Sequence, residues 1–323
     1  MQIDKQTDTQ SATGPFFIVG AARSGTTLLR LILGHHSRIC KCEEMEYVTP
    51  ELINGNASAD IEGYIHRLEL DRGFRLSDYS INKSLSFEEM ARDFLVQRKS
   101  IDGKPIVGAT VHHHFEQLPK IWPKAKFIYL TRDPRDVARS SVQMGWVGHP
   151  WYGAEFWLAA YRSWQSLRTK VEDTVCLEVR FEDLIAEPES CVRRVCNFLN
   201  VTFEPEMMEI DRDTTYAPPD PSAATSWRSS ADKEEVALIE ARIGSTILTD
   251  SGYPPSVIPP VELTAIKKTK VVCQDLTNRI RFRINRYGFP LWFQGVISRR
   301  TPFRAYRERI QVAIDAVDNM HLK

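Results

Sequence analysis

Residues 15–34 constrain the fold more than any other stretch. Pro15-Phe-Phe-Ile-Val-Gly20 is a continuous apolar run without polar alternation, the pattern of a strand buried on both faces. Gly20-Ala-Ala-Arg-Ser-Gly25-Thr26-Thr27 follows, with four residues between its glycines and two hydroxyl residues after them. Leu28 to Leu33 then reads as a helix with Gly34 as its C-terminal breaker. Strand, glycine loop and helix in this order make a phosphate cradle, because loop and helix N-terminal N–H groups converge on an anion. Gly25 allows close backbone approach, and Ser24, Thr26 and Thr27 offer hydroxyl donors. A nucleoside triphosphate loop of this spacing carries Lys where Thr26 stands. The nearest cation here, Arg23, lies earlier in the loop, so the loop suits a phosphate-like ligand other than ATP with magnesium.

The rest of the chain alternates in the same manner. Ile106–Thr110, Lys126–Leu130 and Cys176–Val179 read as further strands. Helices are expected over Phe87–Arg98, Phe115–Trp122, Asp136–Met144, Phe156–Glu172, Pro188–Leu199 and 232–248. This order predicts an α/β fold: a P-loop-like three-layer sandwich with a mostly parallel sheet and helices on both faces. Pro-rich stretches at 218–221 and 254–260 read as loops. The expected organisation is a disordered lead-in over 1–14, a main domain over 15–254 and a basic, mainly helical extension over 255–323.

Composition excludes several classes. At 42% hydrophobic and 26% charged, the 323-residue chain is neither collagen-like nor wholly disordered. No apolar run approaches the roughly 18–20 residues that span a bilayer. The polar start shows no charged region followed by an apolar one, so a cytoplasmic protein is expected. The six cysteines form no C-x-x-C pair and no zinc-like spacing, which predicts free thiols and no metal. Net charge is zero, but residues 255–323 hold 13 Lys+Arg against 5 Asp+Glu, or +8, which leaves −8 on the first 254. Such an extension suits an anionic partner, a membrane surface or docking on the acidic body.

A second motif follows the clearest strand: Leu130-Thr-Arg132-Asp-Pro-Arg135-Asp-Val-Ala-Arg139-Ser140. In an open parallel sheet, ligands bind beyond the C-terminal strand ends. Arg132 and the glycine loop both fall there. A guanidinium with a hydroxyl, Arg132 with Ser140, can clamp a second phosphate. Two phosphate sites imply a nucleotide phosphorylated at two places.

Here the chain resembles the sulfotransferase superfamily, whose donor is 3′-phosphoadenosine 5′-phosphosulfate (PAPS). Phe17–Arg30 is similar to the family's 5′-phosphosulfate loop and Tyr129–Ser140 to its 3′-phosphate motif. Arg180-Phe-Glu-Asp-Leu-Ile-Ala-Glu-Pro188 resembles a later block, and Ser226-Trp227-Arg228 with its following helix resembles the cofactor lid. The likeness runs from about Pro15 to Tyr253 and is strongest to the bacterial and tyrosylprotein branch. It implies that Arg23, Ser24, Gly25, Thr26 and Thr27 hold the 5′-phosphosulfate and Arg132 and Ser140 the 3′-phosphate, with Phe181, Trp227 and Arg228 also contacting the donor. It implies sulfuryl transfer to an acceptor hydroxyl without a metal, adenosine 3′,5′-bisphosphate (PAP) as product, Glu44 as general base and Arg23 offsetting charge on the leaving oxygen.

Glu43, Glu46 and the run His112-His113-His114 remain alternatives for the base. That run stands where many relatives carry a lysine, and Phe181 stands where many have Tyr. Of the aromatic-rich segment, only Trp146, His149 or Trp151 is expected to see a ligand, and the helically spaced aromatics to pack in the core. The acceptor, whether carbohydrate, lipid, small metabolite or peptide, is not readable, and no nucleic-acid partner is expected. For the extension, packing on the body or on a second subunit is favoured over an interfacial amphipathic helix, with a membrane-surface contact as the alternative. The rivals are a P-loop kinase or NTPase, which needs Lys at position 26, and a non-catalytic nucleotide sensor.

Overall fold

The computed structural model describes residues 14–54, 60–209, 224–259, 261 and 264–321. Four strands form one sheet: β1 (Phe16–Val19), β2 (Gly108–Val111), β3 (Lys126–Thr131) and β4 (Cys176–Arg180), in the order β2-β1-β3-β4. Every pairing is parallel, with Phe16 beside Gly108 on one side and Lys126 on the other. Side chains alternate across a strand, so β1 feeds two cores. Phe16 and Ile18 pack with Leu28, Leu29, Val192 and Val195, while Phe17 and Val19 pack with Phe94, Trp157 and Trp164. Helices therefore cover both faces, as an all-parallel sheet requires.

The strand order positions the site. From β1 the chain leaves towards β2, whereas from β3 it leaves towards β4. Loops that part in opposite directions open a crevice between the C-terminal ends of β1 and β3. The glycine loop follows β1 there and Arg132 follows β3.

Several elements depart from the sequence reading. The helix expected from Phe156 begins at Pro150, with His149 accepting the Trp151 N–H as its cap, and ends at Arg168. The helix expected over 232–248 is divided at Gly244 into Lys233–Ile243 and Ser245–Asp250. Phe115–Lys120 is a 3₁₀ turn, tightened before Ile121 and containing Pro119. A short helix at Phe181–Ala186 was not foreseen. The lead-in and the 218–221 stretch lie outside the described residues, apart from Gly14.

The extension forms helices over Ala265–Ser298, kinked at Gly288, and Arg304–His321. It packs on the body, and its acids are among its anchors. Asp275 accepts the Gly148 N–H at 2.7 Å, Glu308 meets His66 at 2.8 Å and Asp315 pairs with Arg75. Among the described residues no ion pair joins a cation of the extension to a carboxylate of the body, so docking does not come from the bulk charge asymmetry. No helix among the described residues is long and apolar enough to cross a membrane.

Candidate active site

The loop between β1 and the first helix (Thr26–Gly34) is built to receive an anion. Gly25 precedes the helix at φ 93°, no side chain caps it, and its first turn holds no acid. The helix N–H groups and positive dipole end are thus left for a ligand. Ser24 and Thr26 are buried, and the Ser24 hydroxyl has no hydrogen-bond partner, an orphan that a bound oxygen would satisfy. Gly25 is required twice over. Its φ is left-handed, and a Cβ there would lie 2.2 Å from the Phe181 ring.

Phe181 is therefore part of the cradle's wall. The Arg132 guanidinium lies 4.6 Å above the same ring, a cation–π contact. Arg132 also donates through Nη1 to the Arg23 carbonyl at 3.0 Å. Burial pulls the Arg132 guanidinium below its ordinary pKa, with Asp136 and Glu182 acting against that shift. An incoming phosphate would oppose it further. The Arg23 Nε donates to the Ser140 hydroxyl at 3.0 Å, so the two strand-end motifs meet directly. Thr27 borders the loop half-buried.

The remainder of the Arg-Asp-Pro-Arg-Asp run is a buried frame. Asp133 takes both arms of Arg135, at 2.8 and 2.9 Å, and accepts the Trp227 indole N–H at 2.9 Å. Asp136 accepts the Ser226 hydroxyl and the Trp227 backbone N–H. Trp227 is thus buried against Arg135 on one face, with exposed Arg228 4.6 Å from its ring. Glu182 accepts the Asp133 N–H and the Tyr253 hydroxyl, tying Tyr253 to the same corner. No local pattern announced these contacts, since Trp227 and Asp133 stand 94 residues apart.

The three glutamates separate by environment. Segment 42–46 runs beside β2, with residue 44 bridged to Thr110. Glu43 turns inward to the buried Arg98 at 2.6 Å. Glu46 accepts the His112 N–H and meets His113 at 3.1 Å. Burial alone would raise the Glu46 pKa, but its histidine contacts bring it below the ordinary value; the Glu46 bond in turn raises that of His113. Glu44 stays half-exposed at this sheet edge, its nearest cation Arg30 at 3.9 Å.

The His112 Nδ1 lies 3.0 Å from the Gly20 carbonyl. A carbonyl only accepts, so Nδ1 is the donor there. His114 adopts φ 55° and is exposed. His149 is occupied as a helix cap, and Trp151 lies under Arg242. Trp146 is exposed, while Trp157 and Trp164 are core residues as expected. All six cysteines are free, and no cluster of three metal-ligating side chains occurs among the described residues.

The sequence profile of the sulfotransferase family matches residues 15–205, more than half of the chain. The chain belongs to the sulfotransferase family. Its match spans the loop, Arg132, Ser140 and Phe181. The chain is 24% identical over 279 residues to protein-tyrosine sulfotransferase A of Caenorhabditis elegans, covering 78% of this chain and 71% of that protein. It is 27% identical over 202 residues to protein-tyrosine sulfotransferase 1 of Danio rerio, covering 58% of this chain and about half, 53%, of the relative. The sulfotransferase domain from the curacin biosynthetic pathway superposes with a TM-score of 0.52 at 19% identity, covering 75% of this chain and 99% of that domain, which shows the shared fold.

Proposed function

We propose that this sulfotransferase uses PAPS as donor and an acceptor hydroxyl as nucleophile, with residues 15–254 as the catalytic unit. The observation that carries this reading is the 3.0 Å contact between Arg23 and Ser140, which joins a 5′-phosphate cradle to a second cation-and-hydroxyl site. Arg132 and Ser140 would hold the 3′-phosphate. The loop N–H groups, Ser24, Thr26 and Thr27 would hold the 5′-phosphosulfate. The acceptor oxygen forms a bond to sulfur while the bond from sulfur to the 5′-phosphate oxygen breaks in line. Glu44 takes the acceptor proton, and Arg23 balances charge on the departing oxygen. Products are a sulfate ester and PAP. Glu44 fits the role best because Glu43 and Glu46 are engaged by Arg98 and the histidines.

Calorimetric titration with PAP, ADP–magnesium and 5′-AMP tests the donor. PAP is expected to bind at micromolar concentration or below and at least tenfold more tightly than the others. Preference for ADP–magnesium would overturn the reading in favour of a kinase.

A further inference from the structure

The helix that carries Ser140 near its end leads into a second site. Met144 donates to the Ser140 carbonyl, so it sits one turn, about 5.4 Å, further along. Met144, Gly145 and Trp146 then form one wall of a cavity of about 340 Å³. The extension supplies the opposite wall with Phe282, Arg283 and Arg286, and Arg72 reaches in from the body. The lining holds three arginines against one acid, Asp318. That acid is already taken, by Arg286 at 2.9 Å and the Tyr287 hydroxyl. Arg72 and Arg283 have no carboxylate partner among the described residues. Burial pulls the Arg283 guanidinium down from its ordinary pKa, and Arg299 and Arg279 push the same way. A cavity with two uncompensated guanidinium groups favours an anion.

Its aromatic wall connects it to the reacting corner. Trp146 is 41% exposed. Its ring lies 5.9 Å from Phe156, which lies 6.5 Å from His113, the partner of Glu46. The volume is that of a small-ligand site.

We propose that this cavity binds a carboxylate, sulfate or phosphate group of the acceptor, with an aromatic or apolar portion against Trp146, so that the extension completes acceptor recognition. The assignment rests on the sulfotransferase reading for its occupant and on the arginine cavity for its chemistry.

The test uses the full chain saturated with PAP and follows the Trp146 indole N–H resonance, assigned with Trp146→Phe. The probes are 2-naphthoate, its neutral counterpart 2-naphthalenemethanol, and inorganic sulfate. Naphthoate is expected to shift the resonance saturably and to bind at least tenfold more tightly than either other probe. Arg72→Gln/Arg283→Gln should weaken it tenfold or more. Arg283→Gln alone, which breaks no ion pair, should weaken it several-fold and guards against misfolding of the double variant. An unsaturable shift, equal binding of acid and alcohol, or indifference to both variants would overturn the anion site. Sulfate binding as tightly as naphthoate would overturn the acceptor assignment in favour of a free anion. Failure of PAP to bind would count against the donor reading instead, since the Trp146 signal reports on the cavity separately.

Discussion

At the scale of single residues, the adjacent carboxylates Glu43 and Glu44 sit in opposite environments. Arg98 is almost wholly buried and holds Glu43, Asp102 and the Tyr79 hydroxyl. Removing one anion leaves that buried charge less compensated, which is costly. Glu43→Ala is therefore expected to destabilise the protein by about 1–3 kcal/mol. Glu44→Gln removes only a long, exposed pairing with Arg30, so its stability should stay within about 0.5 kcal/mol of the parent. Its effect should fall on turnover, a loss of about 10²- to 10⁴-fold in PAP release with PAP affinity unchanged. Denaturant melts and release assays on the two variants separate these roles. Full turnover by Glu44→Gln would move the base elsewhere, and the Nε2 of His112 is the first place to look.

At the scale of elements, what could be read ahead was what local pattern encodes. β1 and β3 are apolar runs, β4 alternates around Glu178, and the glycine loop is a spacing, so all were legible, as were Arg132 at a strand end and Ser140 in the helix after it. The start of the 150–168 helix was not, because a His–Pro cap does not resemble the usual Ser, Thr, Asp or Asn signal. The frame around Asp133 was not either, because its partners come from distant segments. That frame carries its own prediction. The five-residue helix Ser226–Ser230 is too short to hold itself and depends on Asp133 and Asp136. Trp227→Phe keeps an aromatic ring, a smaller one, but loses the indole N–H to Asp133. It is expected to cost about 1–1.5 kcal/mol and to raise amide exchange over 226–231 several-fold. Exchange there identical to that of the parent would mean that the backbone contact to Asp136 suffices.

At the scale of the whole molecule, the docking of the extension bears on the proposed acceptor cavity. The extension meets the body where the Ser140 helix ends, and one glycine sets that contact. Gly145 has φ 71°, and a Cβ on it would lie 2.1 Å from the Phe282 ring. Gly145→Ala must therefore displace Phe282 and strain its own backbone, at a combined cost of roughly 1–3 kcal/mol. The other anchors include Asp275 and Asn278 on Gly148, with Glu308 on His66 and Asp315 on Arg75 of the body. These are polar contacts, so a penalty of that size is enough to loosen the 265–287 segment. Hydrogen exchange should show protection over 265–287 falling tenfold or more in Gly145→Ala. PAP binding should stay at the parental value, because Arg23 bonds Ser140 and Arg132 bonds the Arg23 carbonyl within the body itself. If PAP affinity fell in step with protection, donor binding and extension docking would be one cooperative event, and the main domain could not be treated as the complete donor site. If protection did not change, Phe282 would have another position open to it, and the extension would be held by its polar anchors.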